Sequence, residues 1–219
     1  GGIEVEVGLL VGTTGRGKSM LAANLALTSA LQEFRTLYIS TEMEHDLTAT
    51  RIDARFFQIP YDQFKGFEFS EDELEQIAAK LKRFRNRLRK KLRIVSMPLR
   101  HCTYEVVNQI LDDMAEEEEG PVRMLVFDSL DHMVPSEKSG DRRARETNSH
   151  MDGKSIAEER RCALWATTHS PKEVVNKIAT AENVGESYDK ARLADIVITI
   201  NENKALALKN QMNLYLAKY

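Results

Sequence analysis

Residues 12–19 read Gly12-Thr13-Thr14-Gly15-Arg16-Gly17-Lys18-Ser19. The glycine spacing followed by Lys-Ser constrains the fold more than any other feature of the chain, because of what flanks it. The apolar run 7–11 precedes it as a buried strand, and Ser19 to Ala26 continues from it as an apolar helix. Strand, glycine loop and helix together make a phosphate site. Backbone N–H groups of the loop close on phosphate oxygens, and the Lys18 ammonium reaches the β and γ positions. The Ser19 hydroxyl is placed to ligate Mg²⁺. The helix that starts there, over 18–33, turns its positive N-terminal end to the same point. All of Gly12 to Met20 is therefore a nucleotide-binding segment, with ATP and Mg²⁺ as the expected cofactors.

The remaining chain repeats the strand–helix alternation, which predicts an α/β fold: a mainly parallel central sheet with helices on both faces. Strands are expected at 5–11, 36–40, 92–96, 123–127, 163–168, 194–200, 205–209 and 213–218. Helices are expected at 18–33, 44–57, 71–90 and 104–117, with Ser70 to Glu73 as a capping box and Thr103 as a cap. Residues 58–70 read as irregular, 135–150 as a polar loop running into a helix that ends near 161, and 171–190 as polar. One domain over 1–219 accounts for the pattern, and a first strand so near residue 1 suggests a piece of a longer protein.

A net charge of −3 argues against a constitutive nucleic-acid coat but leaves room for contact through a few loops. Cys102 and Cys162 lack metal-type spacing and fit buried thiols in a reducing compartment. That compartment is the cytoplasm, or the host cytoplasm for a viral protein; a mitochondrial matrix is also compatible. No apolar run approaches the length of a membrane span. The basic run from Lys80 to Arg93 shares its helix with an apolar stripe, which favours solvated helix faces over a DNA surface.

Hydrolysis needs a carboxylate near Mg²⁺ and a group that activates water. Asp128 closes the apolar strand 123–127, at the sheet edge where ligands bind in such folds. Glu42, just past the second strand, is a candidate general base, with Glu44 as its rival. His169 ends the strand 163–168. It is either a structural histidine or a sensor of the γ-phosphate.

These segments in this order resemble the RecA-like motor domain of the DnaB-type replicative helicases, in the phage primase-helicase and Twinkle-like branch. Ser40-Thr41-Glu42-Met43 is similar to the family's Ser-x-Glu-Met, whose Glu is the catalytic base. Asp128-Ser129-Leu130-Asp131-His132-Met133 resembles its Asp-x-Leu-x-x-Met. Thr168-His169-Ser170-Pro171-Lys172 resembles its γ-phosphate sensor. Gly185-Glu186-Ser187 before the strand 194–200, and Lys209-Asn210, resemble later elements. The resemblance implies ATP-driven translocation on single-stranded DNA by a homo-hexameric ring, with a primase or loader as possible partner. It assigns catalysis to Glu42, Lys18 and His169 and metal binding to Ser19 and Asp128. DNA contact falls to Lys138, Arg142, Arg143, Lys172 and Lys177, in loops 135–147 and 172–187.

The chain departs from that family where a finger arginine is expected after the strand 194–200, carrying Glu202-Asn203-Lys204, and at Gln211. The departures keep a second function open: a non-helicase RecA-like ATPase whose nucleotide state controls assembly or partner binding. A nucleotide kinase would need a lid and an acceptor pocket, and the sequence displays neither.

Overall fold

A computed structural model of the chain describes residues 5–117, 119–169, 188–201, 206, 209 and 211–219. The first unit is β1 (Val7–Gly12), a glycine loop and α1 (Lys18–Leu31). After it come β2 (Thr36–Ser40), α2 (His45–Phe57), α3 (Tyr61–Gly66), α4 (Glu71–Lys91) and β3 (Leu92–Ser96). Then follow α5 (Tyr104–Glu116), β4 (Met124–Asp128), a 3₁₀ turn at Leu130–His132, α6 (Arg142–Arg160) and β5 (Ala163–His169). The last elements are α7 (Tyr188–Leu193), β6 (Ile196–Asn201) and β7 (Asn213–Lys218).

The strands form one seven-stranded sheet in the order β3-β2-β4-β5-β1-β6-β7. Every described pairing is parallel except β6 with β7. Parallel order needs crossovers, and the helices that make them cover both faces. Strand side chains alternate between those faces. Leu9, Val11, Leu37, Ile39, Leu125 and Phe127 pack into one buried cluster with α5 and α6. Leu10, Tyr38 and Val126 pack into the other, under α1 and α2. Burying each such side chain contributes about 1.5–3 kcal/mol, which makes β1, β2 and β4 the rigid centre. Gly8 belongs to this packing: a Cβ there would meet the Trp165 ring at 2.5 Å, so only glycine lets that indole lie against β1.

α4 forms as its sequence predicts. Ser70 and Glu73 close the capping box, acids fill the first turn, and Arg89, Lys90 and Lys91 fill the last. Several of its basic side chains are engaged: Arg87 pairs with Glu33, Lys90 with Glu119 and Lys80 with the Phe56 carbonyl.

Three local expectations change. Residues 58–70 contain α3, because Pro60 begins a helical turn rather than breaking one. The polar stretch 135–150 is half helix: Asp141 caps α6 by accepting from the Ala144 N–H, so the loop stops at 141. Polarity alone cannot separate a solvated helix from a loop. The predicted strand 205–209 lies mostly outside the described residues, and Leu206 is helical rather than extended.

Candidate functional site

The carboxyl ends of β1, β2, β4 and β5 lie side by side, so the groups that end them converge. The loop after β1 turns at Gly15 (φ 78°) and Gly17 (φ 88°), backbone that side-chain-bearing residues rarely adopt. Gly17 immediately precedes α1, whose first N–H groups face the loop. Met212, just ahead of β7, rests on the loop, its Cε 2.7 Å from where a Cβ on Gly17 would stand.

Lys18 is 6% exposed. Its Nζ donates to the Gly12 carbonyl at 2.9 Å and the Thr13 carbonyl at 3.1 Å, and lies 3.3 Å from His169 Nδ1. Burial lowers its pKa, while the charges of Glu42, Asp128 and Asp131 resist that shift. An ammonium only donates, so Nδ1 of His169 accepts and its ring proton sits on Nε2. Nε2 then donates to Glu42 Oε1 at 2.9 Å. This hydrogen bond is the main cause holding the Glu42 carboxyl below the usual glutamate range; desolvation opposes it, and the Lys18 ammonium adds to it. Thr14 Oγ1 touches the same Nδ1 at 3.5 Å. Glu44, the rival base, instead occupies the N-cap position of α2 and is exposed.

Asp128 is buried at 1% exposure. It accepts from Ser19 Oγ at 3.2 Å, Thr167 Oγ1 at 2.9 Å and Tyr38 OH at 2.9 Å. Burial first, and then the Asp128 charge, push the Tyr38 phenol well above its ordinary pKa. A magnesium ion bound beside phosphates uses few protein oxygens and keeps waters. The Ser19 hydroxyl and the Asp128 carboxylate are such a donor set, and they already meet. Among the described residues no cluster of three His, Cys, Asp or Glu side chains forms an all-protein metal cage. Ser129 follows Asp128 through a cis peptide and is held by Thr41, whose Oγ1 donates to the Ser129 carbonyl at 2.7 Å.

A second charged cluster lies directly behind. Asp131, 4% exposed in its side chain, accepts from the His169 backbone N–H at 3.1 Å and Thr168 Oγ1 at 2.8 Å. His150 Nε2 on α6 reaches it at 2.9 Å and Lys190 Nζ on α7 at 2.8 Å. Lys190 also binds Glu146 at 2.6 Å. Burial alone would raise the Asp131 pKa, but His150 and Lys190 outweigh it and hold the carboxyl well below its usual range.

The structure thus brings together Lys18, Ser19, Glu42, Asp128 and His169. Lys138 is exposed on the 135–141 segment, while Arg142 and Arg143 occupy the first turn of α6. Arg142 pairs with Glu146 and Arg143 with Asp189, each in an ion pair of 2.7–2.9 Å. Lys172, Lys177, Glu202 and Lys204 fall outside the described residues. Tyr38, Thr167, His150 and Lys190 were missed from the sequence. Only register and tertiary packing bring them in: Tyr38 pairs with Val126, two residues before Asp128. His132 was passed over as well, and its Nδ1 lies 3.8 Å from Glu42.

This fold and this edge define a P-loop nucleotide-binding domain of the RecA-like class. The chain belongs to the AAA domain family, whose model matches residues 3–174. Its fold is that of the ATPase domains of DnaB-type helicases. A solved ATPase domain superposes with a TM-score of 0.78 at 14% identity, covering 98% of this chain and 77% of its own. A DnaB-like replicative helicase, solved with its interactions with primase, superposes at 0.81 and 15% identity, covering 98% of this chain and 52% of its own. The chain thus spans about half of that helicase. Comparison with curated proteins gave no match. No described helix is long and apolar enough to cross a membrane.

Proposed function

We propose that the domain hydrolyses ATP with Mg²⁺ and uses the cycle to move along single-stranded DNA, as the motor of a ring helicase assembled from six copies. The observation that carries the reading is the hydrogen-bonded chain Lys18–His169–Glu42 beside Ser19–Asp128. Those are the parts phosphoryl transfer needs, since its catalysis is positioning plus charge stabilisation. Lys18 and the loop N–H groups hold the β and γ oxygens. Ser19 and Asp128 would hold Mg²⁺, which when bound neutralises charge on those oxygens. Glu42, kept as a carboxylate, accepts a proton from the attacking water. His169 sits between Lys18 and Glu42, so a change at the γ position alters both its hydrogen bonds at once and reaches Asp131 through its own backbone. The Glu202-Asn203-Lys204 and Gln211 departures support the second reading, a RecA-like ATPase that controls assembly or partner binding without unwinding. A primase or loader is a partner only on the first reading. Fork unwinding measured beside ATP turnover with and without single-stranded DNA tests the two. Turnover that DNA stimulates, with strand separation, supports the motor. Turnover indifferent to DNA, with no unwinding, overturns it.

A further inference from the structure

A cleft of 560 Å³ lies next to the site, between the segment after β3, the segment after the 3₁₀ turn and the start of α6. Arg100, Arg142 and Arg145 line it, together with His132, Asp131 and Glu146. Its walls are tied together. Val134 N–H donates to the Cys102 carbonyl at 2.7 Å, Ser149 Oγ to the Met133 carbonyl at 2.7 Å, and Ser136 Oγ to Asp152 at 2.7 Å. Both lining acids are already engaged: Asp131 by Lys190 and His150, Glu146 by Lys190 and Arg142. Arg100 and Arg145 are exposed and have no acidic partner among the described residues. The cleft therefore offers two uncompensated guanidinium groups, from separate segments, above a floor whose charge is already balanced. Planar guanidinium forks match phosphate oxygens better than ammonium groups do.

We propose that this cleft seats a backbone phosphate of single-stranded nucleic acid, held by Arg100 and Arg145. The assignment rests on the motor reading and adds two residues that reading did not name. A strand is favoured over a free anion because the exposed Lys138 carries the basic surface further along the segment that leads into α6. The location also bears on coupling. His132 lines the cleft and lies 3.8 Å from Glu42, so the strand would lie one side chain from the candidate base.

The test is the anisotropy of a fluorescein-labelled oligo-dT as salt is raised, using the full chain with ATP analogue present. Wild type is compared with Arg100→Ala/Arg145→Ala and with Lys82→Ala/Arg85→Ala, a control removing two exposed charges of α4. The cleft variant is expected to bind more weakly, with a log–log salt slope flatter by about 0.7, the value for one lost single-strand phosphate contact. The control should keep the wild-type slope. Binding of a fluorescent ATP analogue should be equal in all three, which reports intact folding. A wild-type slope in the cleft variant, or equal flattening in the control, would overturn the cleft assignment while leaving the motor reading intact. Displacement of the oligonucleotide by millimolar inorganic phosphate at matched ionic strength would make the cleft a free-anion site and overturn the strand assignment. Failure of the wild-type chain to bind oligo-dT at all would overturn the nucleic-acid reading itself, and the cleft with it.

Discussion

Two clusters of charge sit back to back at the carboxyl edge of the sheet and are built in opposite ways. Lys18, Ser19, Glu42 and Asp128 form a front cluster in which Glu42 and Ser19 stay partly exposed. Asp131, His150, Lys190 and Thr168 form a rear cluster closed off from solvent. In the front cluster Lys18 bonds to backbone carbonyls and Ser19 to Asp128 through its hydroxyl, so these groups can exchange partners for phosphate oxygens and a metal ion. In the rear, Asp131 alone takes bonds from β5, α6 and α7. A buried carboxylate with that many donors cannot move without stranding charge. The front is therefore suited to exchange with a ligand and the rear to holding β5 against two helices. His169 belongs to both, by its ring in front and its backbone N–H behind.

If that division is right, substitutions in front cost activity and substitutions behind cost stability. Lys18→Ala and Glu42→Gln should leave urea unfolding close to wild type while ATP turnover collapses. For Glu42→Gln the loss is roughly 10²–10⁴-fold, the usual contribution of a positioned base. Turnover within a few-fold of wild type would move the base to Glu44 or elsewhere. Asp128→Asn should chiefly raise the Mg²⁺ concentration needed for turnover, because an anionic partner of the metal site is lost.

Asp131→Asn takes the buried carboxylate away from the Lys190 ammonium and from His150, and should destabilise by about 3–5 kcal/mol, read as a lower urea midpoint with unchanged slope. Asp131→Asn/Lys190→Met removes both charges and should recover much of that loss. If the double variant is no more stable than the single, the rear cluster is not held by this charge pair.

Acid should separate the clusters next. Asp131 has a folded pKa below its unfolded value, so its contribution is complete above the unfolded pKa of about 3.9 and fades only as pH falls through the lower folded value. Glu42 follows the same sign. Stability loss carried by these two groups thus belongs below the ordinary carboxylate range, and Asp131→Asn should flatten the acid limb of stability there. An acid limb identical in wild type and variant would contradict the assignment.

The smallest effect expected is at Gly8, far from either cluster's chemistry. Gly8→Ala drives a Cβ into the Trp165 ring and should cost about 1–3 kcal/mol with little change in ATP affinity. A neutral result would mean that β1 and β5 tolerate slack.

The front cluster was legible before any coordinates because its logic is local. Eight consecutive residues set the loop, and Glu42, Asp128 and His169 each announce themselves as polar groups ending an apolar strand. Parallel order then brings strand ends to one edge, so the sequence alone determined a parallel α/β fold and which of these polar groups meet at that edge. The rear cluster carries no such announcement. Asp131, His150 and Lys190 lie 19, 40 and 59 positions from one another, the last two in stretches that read from the sequence only as polar. The boundary at 141 escaped for the same reason: a polar helix and a polar loop have similar composition, and the cap at Asp141 decides between them. What only the tertiary structure decided is which charges are buried and whom they face. Burial depends on the packing of α6 and α7 against β5, and no spacing along the chain encodes that.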